Sequence, residues 1–328
     1  MGYDRFEDFY RYWNQMLEDW QNDPEKTFRT NVFLSKVNNV SKNHLYRKVI
    51  NGKIFDLYKY RPEPYLGKPD DCCAVILNLN PGFGVSPYLT ESSQADYKLQ
   101  HYDAKDKIEY DAKEFVPYLN GKFVQTPSEI AKDNPAIPNG VFWWYGTYKK
   151  SAGRCTGGRI DYIHHMYELY FEKLPKNLPF ALEICPWRSY DFNLNYIFPG
   201  GVPEDPNDDL IRVINDYVLA PALNATMRDG VLPFVLCIGS AITKLKDVLG
   251  LIEVKEWNQD CNDPDWPKKI NKDNQVENVV RSYKLFQKEG KYLLNIFAPG
   301  SNKPPCKDSF KRIEGKILEE FKLISNRR

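Results

Sequence analysis

Four short runs of mainly apolar residues stand out along the chain, and each is followed by a turn that contains Pro, Gly or Ser. The runs cover residues 73–79, 179–185, 232–238 and 292–297. Runs of this length without regular polar alternation are typical of strands that are buried on both faces, as in parallel sheets. The pattern therefore predicts four central strands.

Apolar residues at helical spacing alternate with these runs. They predict helices over residues 3–21, 160–174, 208–228 and 308–321, and a shorter helix after the third strand. In the third of these helices Pro221 is expected to produce a kink or a break, because proline lacks a backbone N–H. The first helix carries a stripe of Phe and Trp that indicates docking against a core.

Strands that alternate with helices indicate an α/β fold. We expect a three-layer sandwich around a central, mostly parallel, four-stranded sheet. Residues 1–65 are interpreted as an N-terminal helical segment packed on an α/β domain over 66–328, with insertions at about 85–157 and 253–282. Ligands bind beyond the carboxyl ends of the strands in such sheets, which draws attention to the turns at residues 80, 183 and 298.

Composition narrows the range of partners. The 328 residues are 42% hydrophobic, enough for one large core with additions. Lys and Arg number 45 against 44 Asp and Glu, so any binding to nucleic acid must come from a local basic groove. No apolar stretch has the length of a membrane span, and the first residues do not resemble a secretion signal. We therefore expect a cytoplasmic monomer without a membrane partner.

The Cys and His residues do not predict a metal site. The seven cysteines are an odd number without a CxxC pair, which is typical of reduced core thiols. His164 and His165 are adjacent, and neighbouring positions point about 100° apart around a helix, so the two cannot share a metal. We expect no metal and no cofactor.

Polar side chains occupy three of the strand-end turns. Ordinary surface turns would account for the first and the third. A salt bridge to Arg188 would account for the carboxylate in the second, because a buried charge needs a partner. The polar residues are Asn80 before Pro81 and Gly82, Glu183, and the group Ser301, Asn302 and Lys303.

In order and spacing, the three turns resemble the motifs of the uracil-DNA glycosylase superfamily, most closely its single-strand-selective monofunctional and mismatch-specific branches. The family's first motif, Asn-Pro-Gly after an apolar strand, is matched by residues 80–82. Its central motif, Asn-Tyr-Cys-Pro-Leu, aligns with Glu-Ile-Cys-Pro-Trp at 183–187. Its last motif, His-Pro-Ser-Pro, aligns with Ala-Pro-Gly-Ser at 298–301. The resemblance covers roughly residues 70–325.

The resemblance implies a DNA glycosylase. Members of this family flip a nucleotide out of DNA and hydrolyse its N-glycosidic bond, which leaves an abasic site. Asn80 would hold the attacking water, and the backbone N–H groups at Gly82 and Phe83 would bind the base, with the Phe83 ring stacked on it. Ser301 and Asn302 would contact the base from the last turn.

Two departures from the family pattern change the expected substrate. Glu183 replaces the Asn that reads the base, and an ionised Glu only accepts hydrogen bonds, which favours the exocyclic amine of a cytosine-type base over uracil. Ala298 replaces the motif His and leaves room for a large substituent. Glucosylated hydroxymethylcytosine of phage DNA is therefore a candidate substrate, and antiphage defence a candidate role. Loss of the His leaves open that catalysis has been lost.

Basic residues near aromatic rings and glycines predict the contacts to DNA. One group lies beside Trp143 and Trp144, and a second lies at the start of the last helix, where backbone N–H groups favour phosphate. Solvated loops would have the same composition. The predicted DNA-binding residues are Lys149, Lys150, Arg154, Arg159, Lys303 and Lys307.

Two rival functions remain. A catalytically inactive relative could bind modified DNA or a protein partner, and it would show salt-sensitive DNA binding without an abasic product. A methyltransferase is the other possibility, since Asn80-Pro81-Gly82 faintly resembles the catalytic Asn-Pro-Pro turn of that class. The chain lacks the Gly-rich cofactor loop that a methyltransferase needs after an earlier strand.

Overall fold

The computed structural model describes residues 6–34, 45–50, 53–59, 62, 64–79, 147–149, 154–156, 159–175, 177, 179–187, 193–258, 268–270, 276–278, 282–297 and 307–325. The strands are β1 (Arg47–Ile50), β2 (Lys53–Asp56), β3 (Tyr65–Leu66), β4 (Val75–Asn78), β5 (Thr147–Lys149), β6 (Arg154–Thr156), β7 (Phe180–Glu183), β8 (Val235–Ile238), β9 (Ile252–Asn258), β10 (Lys268–Ile270), β11 (Val276–Asn278), β12 (Ser282–Lys288) and β13 (Lys291–Phe297). The α-helices are α1 (Glu7–Asn22), α2 (Pro24–Thr30), α3 (Arg159–Phe171), α4 (Asp209–Ile214), α5 (Ala220–Ala225), α6 (Ala241–Leu245) and α7 (Lys307–Ser325).

In the described part of the chain, the main sheet contains seven strands in the order β3-β7-β4-β8-β13-β12-β9. Its centre, β7 to β13, consists of four parallel strands, which are the four predicted from the apolar runs. The remaining pairs, at the two edges, are antiparallel, and β9 again points in the direction of the central four. The fold is therefore α/β with a mixed, mostly parallel sheet that is wider than the four strands expected.

The central strands form because their residues are apolar on both faces. Every residue of β4 and of β7 is buried, including the final polar residue of each strand. Burial of a Val, Leu or Ile side chain contributes about 1.5–3 kcal/mol, so these short strands are stabilised mainly by the layers that cover them.

Helices cover both faces of the sheet. Neighbouring residues of a strand point to opposite faces. The ring of Tyr292 in β13 packs edge-on against Phe321 of α7, with 5.1 Å between centroids. On the other face, Lys291 Nζ donates to Asn224 Oδ1 of α5 at 2.8 Å. Thus α7 lies on one face and α5 on the other.

The predicted docking helix is present as α1. It buries the rings of Phe9, Trp13 and Trp20, and the Phe9 ring lies 5.7 Å from that of Phe180 in β7. Asp23 caps the next helix, because its side chain accepts from the Lys26 backbone N–H. The N-terminal residues of the described chain thereby pack on the edge of the sheet.

Pro221 distorts its helix without ending it. The helical path runs from α4 through a π-helical turn, Asn215–Leu219, into α5, where proline occupies the first turn. The Ala220 N–H donates to the Asn215 carbonyl, five residues back, so the turn widens just before the residue that has no N–H. The expected disturbance at Pro221 is therefore a widened turn and not a break.

None of the helices that the structure describes combines the length and the apolar character that crossing a bilayer requires.

Candidate functional site

The strongest candidate site centres on a buried Asn–Glu pair at the carboxyl edge of the sheet. Asn78 is the last residue of β4, and Glu183 is the last residue of β7. The two are register partners in adjacent parallel strands, and Asn78 Nδ2 donates to Glu183 Oε1 at 3.0 Å. Each residue is only 6% exposed. A carboxylate is therefore held inside the protein at the edge where α/β folds bind ligands.

Strand alternation fixes which face carries the pair. Phe180 is in register across β4 and β8 with Leu293. Glu183 lies three residues after Phe180, and Tyr292 lies one residue before Leu293, so both point away from the Phe180 face. Because Tyr292 contacts α7, Glu183 and its partner Asn78 lie on the face that α7 covers.

The pair lies beside buried residues, and Ile184 and Cys185, which follow Glu183, are fully buried. Burial raises the pKa of the Cys185 thiol well above its usual range, and the nearby Glu183 carboxylate raises it further. An ionised carboxylate in such a place would lose the solvation of water, and the hydrogen bond from Asn78 would offset part of that cost. Buried ionisable groups with specific hydrogen-bond partners are common at ligand-binding sites.

Among the described residues, the neutral amide of Asn78 donates a hydrogen bond to Glu183. Arg188, the alternative partner, lies outside the described residues. Asn78 is not among the predicted site residues, because the prediction places the polar groups of this region in the turn after the run 73–79. The signal was present in the sequence, since Asn78 interrupts its apolar run near the end, as Glu183 interrupts residues 179–185.

The other residues predicted to bind the base or to act in catalysis belong to the turns that follow β4 and β13. Asn80 follows β4 by two residues, and Ala298 directly follows β13. The predicted residues that lie outside the described part of the chain are Asn80, Gly82, Phe83, Ser301, Asn302, Lys150 and Lys303.

Four of the predicted DNA-binding residues fall in described elements. Lys149 of β5 and Arg154 of β6 are register partners in a two-stranded antiparallel pair. Arg159 is the first residue of α3, and Lys307 is the first residue of α7.

The course of α3 and α7 brings their first residues toward the carboxyl edge. The Tyr167 hydroxyl, near the end of α3, donates to the carbonyl of Gly230, which precedes β8. Phe321, near the end of α7, packs on Phe234, also just before β8. Both helices therefore end at the amino edge of the central strands. Helices that cover a parallel sheet run antiparallel to its strands, so the first residues of these two helices, Arg159 and Lys307, lie toward the edge that carries Glu183.

A separate cavity of about 560 Å³ lies between α1, α2 and the π-helical turn. The rings of Tyr12 and Tyr217, stacked at 3.8 Å, form one wall of it. Burial, together with Tyr217, raises the pKa of Tyr12 to about 12. Because α1 packs on Phe180, this cavity lies on the sheet face opposite to Glu183.

Within the described ranges, no three His, Cys, Asp or Glu side chains are grouped to hold a metal ion. The fold and the site thus define an α/β protein with a buried amide–carboxylate pair at the carboxyl edge of its parallel strands. Comparisons with protein-family models, curated proteins and solved structures find no match for this chain.

Proposed function

We propose that the protein is a DNA glycosylase with the three-layer fold of the uracil-DNA glycosylase superfamily. It takes a modified base out of the DNA stack and hydrolyses the N-glycosidic bond. The observation that carries the proposal is the buried Glu183 carboxylate, held by Asn78 at the end of a central parallel strand. The motif resemblance assigns the base-reading role to this same residue.

The strand order supports a ligand site beside Asn78. From β4 the chain adds β7 on one side, and later adds β8 and β13 on the other. Such a reversal in strand order leaves a crevice at the carboxyl ends of the strands involved, because the connections on its two sides lie on opposite faces. Asn78 ends β4 at this reversal, and Glu183 ends the neighbouring strand.

The chemistry of a carboxylate favours a cytosine-type base. Ionised Glu183 can only accept hydrogen bonds, and the exocyclic amine of cytosine donates them. Uracil presents a carbonyl oxygen at the same position, so its lone pairs would face those of the carboxylate. A pocket built around Glu183 therefore rejects uracil and accepts cytosine or a 5-modified cytosine, including glucosylated hydroxymethylcytosine.

Catalysis in this proposal rests on the turn after β4. Cleavage builds positive charge on the sugar, so the attacking water needs orientation more than it needs a strong base, and the Asn80 amide suits that task. Backbone N–H groups at Gly82 and Phe83 bind the base, and Ser301 and Asn302 face it from the last turn. Ala298 in place of the motif His leaves room for a substituent at the base.

Contacts to the DNA backbone come from local positive charge. The formal net charge of the chain is only +1, so a general attraction to DNA is not available. Arg159 and Lys307 begin helices toward the edge that carries Glu183, where backbone N–H groups also favour phosphate. Lys149 and Arg154 form a second basic pair. Lys150 and Lys303 adjoin these groups in the sequence.

The test offers the protein DNA with a single uracil, mismatched thymine, hydroxymethylcytosine or glucosylated hydroxymethylcytosine, followed by alkali. We expect strand breaks at a cytosine-type base, and loss of cleavage with retained DNA binding in Asn80→Ala. Glu183→Asn should move the preference toward uracil.

The absence of strand breaks at every base, even at high protein concentration, would contradict the proposal that the protein is a glycosylase. Selective binding would then favour an inactive module, the second candidate, which the absence of the motif His at Ala298 supports. Breaks only at the glucosylated base would support a role against phages that carry it.

A further inference from the structure

Backbone hydrogen bonds between the two strand ends hold the positions of Asn78 and Glu183. The Ile184 N–H donates to the Asn78 carbonyl at 2.9 Å, and the Cys185 N–H donates to the Leu79 carbonyl at 2.9 Å. The amide that reaches Glu183 Oε1 thus starts from a backbone position that the β4–β7 ladder holds in place. A bond anchored in this way constrains the side chain that accepts it.

Glu183 needs such a constraint if it is to distinguish bases. A Glu side chain has several rotatable bonds, and ordering it has an entropic cost. Discrimination between an amine and a carbonyl depends on an acceptor atom that keeps its position, because a free carboxylate could turn away from the wrong base. The amide N–H₂ of Asn78 can only donate, so the oxygen that it holds must act as an acceptor.

We infer that Asn78 is a positioning residue that determines base specificity by holding the Glu183 carboxylate as a fixed acceptor for the exocyclic amine of a cytosine-type base. The inference rests on the proposed function as far as the nature of the ligand is concerned. It adds a residue that the motif resemblance does not include. It also assigns the selectivity to the pair and not to Glu183 alone.

Two substitutions of nearly unchanged shape separate this role from a structural one. Asn78→Leu removes the donor. Asn78→Asp places a second carboxyl group beside Glu183, and two such groups at this distance share a proton. A shared proton lets the pair donate as well as accept, so the Asp variant should tolerate the carbonyl of uracil. If Asn78 had only a structural role, its substitution would change the binding of all bases equally.

Asn295 supplies a matched control. It is a fully buried Asn in β13 of the same sheet, and its Nδ2 lies 3.4 Å from Thr243 Oγ1. It lies two positions after Leu293 and therefore shares its face, which is the face opposite to Glu183. Its Oδ1 has no hydrogen-bond partner in the described part of the chain. Asn295→Leu removes a buried amide without touching the pair.

The experiment measures equilibrium binding of fluorescent single-stranded oligonucleotides with one cytosine, hydroxymethylcytosine or uracil on a 2′-fluoro sugar, which resists glycosidic cleavage. The readout is the ratio of the Kd for uracil to the Kd for each cytosine-type base. An oligonucleotide with an abasic site reports general DNA affinity. Circular dichroism checks that each variant is folded.

We expect Asn78→Leu to lower this ratio about tenfold or more, as removal of a hydrogen bond to a charged group does. Asn78→Asp should lower it through tighter uracil binding, while abasic DNA binds as before and Asn295→Leu keeps the wild-type ratio. In a Glu183→Gln background, Asn78→Leu should have no further effect on the ratio.

An unchanged Kd ratio in folded Asn78→Leu and Asn78→Asp variants would overturn the inference, as would an effect of Asn78→Leu that persists without the Glu183 carboxylate. A wild-type protein that binds all bases equally would overturn it too. Selective binding without cleavage would remove the proposed catalysis and leave the role of Asn78 standing.

Discussion

The indole N–H of Trp13 donates to the backbone carbonyl of Tyr217 at 3.0 Å and thereby joins α1 to the π-helical turn that precedes Pro221. Trp13 is fully buried. We expect Trp13→Phe to lower the free energy of unfolding by about 2 kcal/mol, because the carbonyl loses its donor and the smaller ring leaves a gap. Urea unfolding followed by far-ultraviolet circular dichroism measures this loss.

Tyr10→Phe on the same helix is the control for that measurement. Its hydroxyl lies 3.4 Å from the Asp70 carboxylate in an exposed position, so its removal should change stability by less than about 0.5 kcal/mol. Equal losses in the two variants would show that the bond to Tyr217 has no special role.

Gly239 directly follows β8 and has φ +110°, a conformation that residues with a Cβ atom rarely adopt. Among the described residues, an added Cβ would meet only Leu79 Cδ1, at an ordinary contact distance of 3.8 Å. Gly239→Ala should therefore destabilise the protein by about 1–2 kcal/mol through backbone strain and not through a clash. Gly200→Ala, at a site with open space and no positive φ, should be close to neutral. Thermal unfolding compares the two variants, and similar melting temperatures would rule out strain at Gly239.

Glu320 of α7 links the helix to the edge strand β9. The hydrogen bond from the Trp257 indole, assisted by Lys255, holds the pKa of Glu320 below its usual value of 4.5. A lowered carboxyl pKa stabilises the fold above pH 4.5, and this contribution disappears as the pH falls through the folded value. Because the side chain is 45% exposed, Glu320→Gln should cost less than about 1 kcal/mol at pH 7.

The difference between wild type and Glu320→Gln should shrink when urea unfolding is repeated in acid, below pH 4.5. Glu319→Gln, at the exposed neighbouring position, controls for the change in net charge. A difference that stays constant between neutral and acidic pH would exclude a contribution from the ionised carboxylate.

The buried cysteines should resist alkylation in the native protein. Burial raises the pKa of Cys72 to about 12 and raises the pKa values of Cys73 and Cys185 as well. At pH 8 only about one Cys72 thiol in ten thousand is then ionised, and the thiolate is the reactive form. Mass spectrometry after iodoacetamide treatment should find these three cysteines unmodified in native protein and modified in guanidinium. Native labelling at the unfolded rate would contradict the assignment.

The central strands could be predicted from the sequence, because burial on both faces is the main cause of a short, continuous apolar run. The central strands are apolar on both faces, so their sequences reveal them without knowledge of their neighbours. The antiparallel strands β12 and β9 were not predicted, because charged residues interrupt the apolar residues along each of them. Lys284 in β12 forms ion pairs with Glu253 and Glu256 in β9, and such a sequence resembles that of a polar excursion.

The candidate site was predictable only in part, for a similar reason. Glu183 was recognised because a charge inside an apolar run has a large desolvation cost that requires a partner. Asn78 is neutral, and its presence in a strand is unremarkable until the neighbouring strand is known. Its partner lies 105 residues away in the sequence. Only the pairing of β4 with β7 brings the two together.

The Asn78–Glu183 bond also bears on how the chain aligns these two strands. Each strand has four residues, all buried, so apolar contacts alone distinguish poorly between neighbouring alignments. A slip by one residue would turn Glu183 to the opposite face, and a slip by two would set Glu183 against Ile76 and Asn78 against Cys185. Either misalignment would bury the Glu183 carboxylate without the hydrogen bond from Asn78, at a cost of several kcal/mol. The polar pair therefore penalises misfolded alignments, in addition to any part that it has in binding.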